Sequence, residues 1–173
     1  MAQAPPLHSA TSDSDISSTC ESHNLTTAQF AILRSSASSA KSLAYCPYSR
    51  FRVGAALLSP DGETVISGAN VENASYPVGT CAERVAIGKA VTWEGKGGPV
   101  KTFKAIAVAT DISPPASPCG MCRQFIREFC SLEMPIIMFD SKDQYVVMTL
   151  GELLPMSFGP DALPPPGAPG AQG

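Results

Sequence analysis

The chain has 173 residues, 44% hydrophobic and 16% charged, where an average soluble protein is about a quarter charged; this excludes a disordered chain and predicts one globular unit with a real core. Twelve basic against fifteen acidic side chains give a net charge of −3 with no cluster of Lys or Arg, so a nucleic acid is not an expected partner. No apolar run nears the roughly 18 residues of a membrane helix, and residues 1–12 lack the basic start and apolar stretch of a secretory signal, so a cytoplasmic protein that does not enter a membrane is expected.

In chain order, residues 1–23 are rich in Ser, Thr, Ala and Pro and read as a flexible N-terminal tail. Phe30, Leu33, Ala37, Ala40 and Ala44 recur at spacings of three and four, which predicts a first helix capped by Thr26 or Thr27. Val53–Leu58 is a continuous apolar run, and with residues 64–70 it predicts a hairpin turning at Pro60-Asp61-Gly62. A second helix is expected from Cys81 to Trp93, ended by Gly95, Gly97 and Gly98. Residues 103–109 read as a buried strand. Pro118 precedes a third helix expected over 119–131, with Pro135 as its stop. Residues 136–139 and 145–148 read as two more strands, and 150–154 as a short helix. Residues 159–173, with Pro164, Pro165, Pro166 and Pro169, predict a Pro/Gly-rich C-terminal tail, leaving 24–158 as the folded domain. Strands alternating with helices after a hairpin predict an α/β fold, a three-layer α/β/α sandwich around a mixed five-stranded sheet.

The two histidines, His8 and His23, both fall in the expected tail, which removes Ser-His-Asp and Cys-His nucleophiles and the H-E-x-x-H metal motif. Glycine-rich dinucleotide and triphosphate cradles are also absent from the sequence. Acid–base chemistry is left to Glu, Asp, Lys, Tyr, Cys or a metal. Six cysteines in a reducing compartment point to metal binding or packing rather than a disulfide framework. Cys119 and Cys122, in Pro118-Cys-Gly-Met-Cys-Arg123, stand one helical turn apart. Alone, that pair fits a redox dithiol, half a metal site or simple packing.

Cys81, at the start of the second helix and followed by Ala82, Glu83 and Arg84, turns the reading toward a metal. Both segments place cysteine at a helix N-terminus, where unpaired N–H groups and the dipole favour thiolate. Three thiolates around Zn²⁺ leave a fourth tetrahedral position for water, the arrangement of a catalytic site. Cys130, about 12 Å along the third helix from Cys122, is too far to join, while Cys46 stays open as a fourth ligand. Glu83, two positions past a ligand, is placed as a general base. Arg84 and Arg123 are near enough in sequence to offset the thiolate charge.

Cys81-Ala82-Glu83 with Pro118-Cys119-Gly120-Met121-Cys122 resembles the signature of the zinc deaminases of nucleobases. Cysteine in the first position is similar to the small homotetrameric cytidine deaminases. The resemblance extends through Cys46-Pro47-Tyr48-Ser49-x-Phe51-x-Val53-Gly54-Ala55, Gly68-Ala69-Asn70-Val71-Glu72-Asn73-Ala74 and Glu152-Leu153-Leu154-Pro155-x-x-Phe158-Gly159-Pro160. It implies hydrolytic deamination of cytidine and deoxycytidine in pyrimidine salvage, with one Zn²⁺ per chain on Cys81, Cys119 and Cys122. It further implies that Phe51 packs on the pyrimidine, that Asn70 and Glu72 bind ribose hydroxyls, and that the Ala82 N–H holds the base carbonyl. Ala74, Tyr76 and Phe158 are implied to reach from neighbouring subunits of a homotetramer with shared active sites. Deaminases of nucleoside antibiotics and of polynucleotides share the metal motif; the intact Asn70-x-Glu72 pair argues against the first and the acidic charge against the second. A zinc-stabilised binding module without turnover is the reading outside enzymes.

Overall fold

The computed structural model describes residues 4–94 and 97–164; the expected helix stop at Gly95 and tail prolines Pro165, Pro166 and Pro169 lie outside them. The elements run β1 (His8–Ser9), α1 (Asp13–Ser22), α2 (Thr27–Ala40), β2 (Val53–Leu58), β3 (Val65–Ala69), α3 (Ala82–Val91), β4 (Ala105–Thr110), α4 (Gly120–Arg127), β5 (Pro135–Phe139), β6 (Gln144–Thr149) and α5 (Leu150–Leu153). The sheet order is β1-β6-β5-β4-β2-β3. Among the strands of the described residues, only β4 and β5 pair in parallel; the other neighbours are antiparallel. The sheet is therefore mixed, as expected, but has six strands rather than five.

Side chains on a strand alternate between faces, and here the alternation divides two cores. Ala55 and Leu57 of β2, Ile106 and Val108 of β4, and Ile136 and Met138 of β5 pack with Ala82, Ala86, Ile87 and Ala90 of α3 and Ile126 of α4. Ala56, Leu58, Ala105, Ala107, Ala109, Ile137 and Phe139 face the other way, onto Phe30, Leu33 and Ala37 of α2. Three layers result. Thr26 starts α2 through a capping box with Gln29, the reciprocal arrangement that satisfies two otherwise orphaned donors.

The expectation of a flexible tail over residues 1–23 is corrected from His8 onward. β1 adds to the free edge of β6, His8 opposite Tyr145 and Ser9 opposite Gln144. Ser12 caps α1 by accepting from the Asp15 N–H. Ala10, Thr19 and Cys20 are buried, and the Thr19 hydroxyl hydrogen-bonds the buried Tyr145 hydroxyl at 2.8 Å. A segment this polar packs because its few buried groups are small and because backbone pairing and capping satisfy its polar atoms.

Smaller differences have local causes. α2 ends at Ala40 in a 3-10 turn over Lys41–Leu43, so Ala44 lies beyond it. α4 closes at Arg127, earlier than 131. Pro135 is not the stop expected for the third helix, which has already ended; it opens β5, a position where its missing N–H is tolerated. The C-terminal boundary moves past 158. Gly159 is buried against Arg127, with which Asp161 forms an ion pair. Among the described residues, no helix is long and apolar enough to cross a membrane.

Candidate active site

The N-termini of α3 and α4 come together. Cys81 is the N-cap of α3 and Cys119 the N-cap of α4, both in extended backbone (φ −71°, ψ 156° and φ −67°, ψ 165°), and neither side chain caps its own helix. The sulfurs are thus free to face each other. Cys81 Sγ and Cys119 Sγ lie 3.8 Å apart, and with Cys122 Sγ all three fall within 4.8 Å of one another. Zn–S bonds of about 2.3 Å at a tetrahedral angle put two sulfurs about 3.8 Å apart, so the spacing fits one zinc ion.

Charge makes the same case. A hydrogen bond from Cys122, helped by Arg84 and Cys119 and opposed by burial, lowers the Cys81 thiol to about 5. That bond and burial push Cys122, its donor, well above the ordinary thiol range. One thiolate is stabilised at the cost of the next, and a divalent cation is what lets three coexist. Cys46 is outside the cluster, so it does not close the site, and Cys130 is buried in the core.

What seats α3 is β3. A Cβ on Gly68 would lie 2.5 Å from Ala86 N and 2.9 Å from Ala82 O, so only glycine lets the helix backbone approach the strand this closely. That contact fixes the first turn of α3, where Glu83 is 3% exposed. Burial raises the Glu83 carboxyl above the ordinary carboxylate range against the hydrogen bond from its own backbone N–H, and charge on Cys81 raises it further. A buried carboxyl beside the three sulfurs is suited to taking up and passing on a proton.

The two arginines separate. Arg84 Nη2 reaches Gly79 O at 3.3 Å and Cys81 Sγ at 3.8 Å, so it faces the sulfurs. Arg123 does not, contrary to the sequence reading. It donates to Pro118 O, Leu153 O and Ser117 Oγ at 2.7, 2.8 and 2.8 Å, tying the loop before Cys119 to the end of α5. Of these partners Leu153 is the one distant in sequence, and no local pattern signals it.

Gly79, the carbonyl partner of Arg84, also lines a concavity of about 260 Å³ with Tyr48, Ser49, Glu72, Asn73 and Tyr76. Asn70 fixes the chain entering β2: its Oδ1 accepts from Val53 N at 2.8 Å and its Nδ2 donates to Phe51 O at 2.9 Å. Glu72 Oε2 accepts from Tyr48 N and Ser49 N at 2.9 and 3.2 Å, and its Oε1 accepts from Ser49 Oγ. These bonds, the Ser49 hydroxyl first, hold the Glu72 carboxyl below its usual range. Phe51, Asn70 and Glu72 therefore form one group. Ala82 is fully buried, while Ala74, Tyr76 and Phe158 stand exposed. Phe158 is carried on a strap that Gln124 and Arg127 of α4 hold through Phe158 O, Ser157 Oγ and Asp161.

The sequence model of the cytidine and deoxycytidylate deaminase zinc-binding region matches residues 29–138, the span holding all three sulfurs. The chain belongs to this deaminase family. A cytidine deaminase of Sporosarcina psychrophila is 47% identical over 124 residues, 72% of this chain and 87% of that one. The crystal structure of the cytidine deaminase of Burkholderia pseudomallei superposes with a TM-score of 0.67 at 40% identity, covering 74% of this chain and 98% of its own. That of Mycobacterium tuberculosis gives 0.62 at 38%, covering 75% and 97%. As in this zinc-binding deaminase family, Cys81, Cys119 and Cys122 provide one zinc site per chain.

Proposed function

We propose that the protein is a cytidine deaminase, hydrolysing the C4 amino group of cytidine and deoxycytidine to give uridine or deoxyuridine and ammonia, in pyrimidine salvage. The observation that carries this reading is Glu83, buried on the helical turn that begins with Cys81. Zn²⁺ held by Cys81, Cys119 and Cys122 supplies a Lewis acid that makes water an effective nucleophile near neutral pH. Glu83 takes a proton from the water and gives it to N3 as the water oxygen bonds C4. It then takes the proton of the new C4 hydroxyl and delivers it to the C4 amine, and the C–N bond breaks to release ammonia and leave a C4 carbonyl.

Other groups orient the nucleoside. The Ala82 N–H, in the first turn of a helix whose N-cap side chain makes no capping bond, holds the base carbonyl. Phe51 packs on the ring, and Asn70 and Glu72 bind the sugar hydroxyls. A carboxylate there repels phosphate, which selects nucleosides over nucleotides. Arg84, beside Cys81, offsets the thiolate charge. The exposed Ala74, Tyr76 and Phe158 complete neighbouring pockets in a homotetramer, and the six free cysteines suit a reducing cytoplasm. Ammonia release from cytidine, deoxycytidine, CMP, cytosine and adenosine tests the reading. The first two are expected to react and the rest to be poor substrates; comparable turnover of CMP or adenosine would overturn it.

A further inference from the structure

Ser49 lies outside the metal motif and does no chemistry in the scheme above, yet it stands between two groups of the nucleoside pocket. Its Oγ accepts from Phe51 N at 3.0 Å and bonds Glu72 Oε1. The first bond settles the direction of the second. With a lone pair taken by the Phe51 N–H, the hydroxyl proton turns to the carboxylate, giving an ordered chain from Phe51 N–H through Ser49 Oγ–H to Glu72. Oε2 already accepts from Tyr48 N and Ser49 N, which fills its two lone pairs. Oε1 keeps one, and the Ser49 hydroxyl decides where it points.

We infer that Ser49 is a positioning residue for nucleoside binding, fixing Glu72 so that its one remaining acceptor site meets a sugar hydroxyl. The inference rests on the assignment of Glu72 to the sugar. Ser49 and Glu72 face the same concavity, and the geometry gives Ser49 no contact with the sulfurs or Glu83. Without the hydroxyl, the carboxylate is still held by two N–H groups on Oε2 but can rotate Oε1 away from the sugar. The loss then falls on ground-state binding through the sugar, and the chemical step is spared.

The test compares cytidine with 2′,3′-dideoxycytidine, which carries neither sugar hydroxyl that Glu72 can accept from. Ser49 is exposed, so Ser49→Ala is expected to fold, and its zinc content and Tm are measured alongside. For cytidine, Ser49→Ala is expected to raise KM about tenfold with kcat within about twofold, the size of one lost charge-assisted hydrogen bond. For dideoxycytidine both constants stay within about twofold, and Ser49→Thr, which keeps the hydroxyl, restores cytidine KM. Equal losses on the two nucleosides would mean a general structural role and overturn the inference. So would an unchanged cytidine KM in Ser49→Ala when Glu72→Ala raises it. An unchanged cytidine KM in Glu72→Ala would instead overturn the sugar assignment beneath it.

Discussion

Gly68→Ala puts the seating of α3 to a direct test. The added Cβ would stand 2.5 Å from Ala86 N and 2.9 Å from both Ala82 O and Ala86 Cα, all backbone atoms that no rotamer change can clear. Ordinary contact begins near 3.4 Å, so strand and helix must part by close to 1 Å. Overpacking of this kind costs about 1–3 kcal/mol, which lowers Tm by about 2–12 °C in a chain of this size. The displaced helix is the one that begins at Cys81 and carries Ala82 and Glu83, and a 1 Å error in a reacting group costs about 10²-fold in rate. Differential scanning calorimetry and steady-state ammonia release read both effects. Gly88→Ala, on the same helix with nothing within 4 Å of its Cβ, is the control; it is expected to gain about 0.5–1 kcal/mol and keep its turnover. A Gly68→Ala protein with wild-type Tm and turnover would refute the claim that this glycine seats the catalytic turn.

Arg84→Ala removes the cation beside Cys81 and is expected to weaken zinc binding about 10- to 100-fold, measured by competition with a chromophoric chelator; unchanged affinity would deny Arg84 its part in stabilising the thiolates. Thr19→Val takes away the partner of the buried Tyr145 hydroxyl and should cost about 1–3 kcal/mol with kcat unaltered, a loss of stability that a loose tail could not produce. Stripping the zinc with a strong chelator is expected to abolish turnover and lower Tm, since a ligand that binds only the folded state stabilises it. Re-addition of Zn²⁺ should restore both, whereas full activity in metal-free protein would contradict the role of the three cysteines.

Patterns local to one segment are legible in the sequence. Val53–Leu58 reads as a strand because it is apolar without interruption, and both of its faces are buried. Cys119 and Cys122 are one turn apart on any helix, and Cys81 announces itself through the Glu83 that follows it. The rest depends on distant partners. α1 reads as too polar to pack because its anchor, Tyr145, lies at the other end of the chain. Arg123 reads as a partner for the sulfurs because it follows Cys122 directly, yet the structure turns it toward Ser117, Pro118 and Leu153. Nothing in the sequence around Ser49 signals that Glu72, beyond the β2–β3 hairpin, is its partner. The third helix reads as too long because Pro135 is its one sequence stop, whereas the Phe129 N–H closes on Ile126 O in a tighter i→i−3 turn.

Glu83→Gln tests the central claim most directly. The substitution keeps size and buried position and removes the exchangeable proton. Zinc content by elemental analysis and the single-turnover rate on cytidine are measured on the same preparation. One zinc per chain is expected, with the rate down by about 10²–10⁴; a zinc-loaded Glu83→Gln variant that deaminates cytidine at the wild-type rate would contradict the role of Glu83.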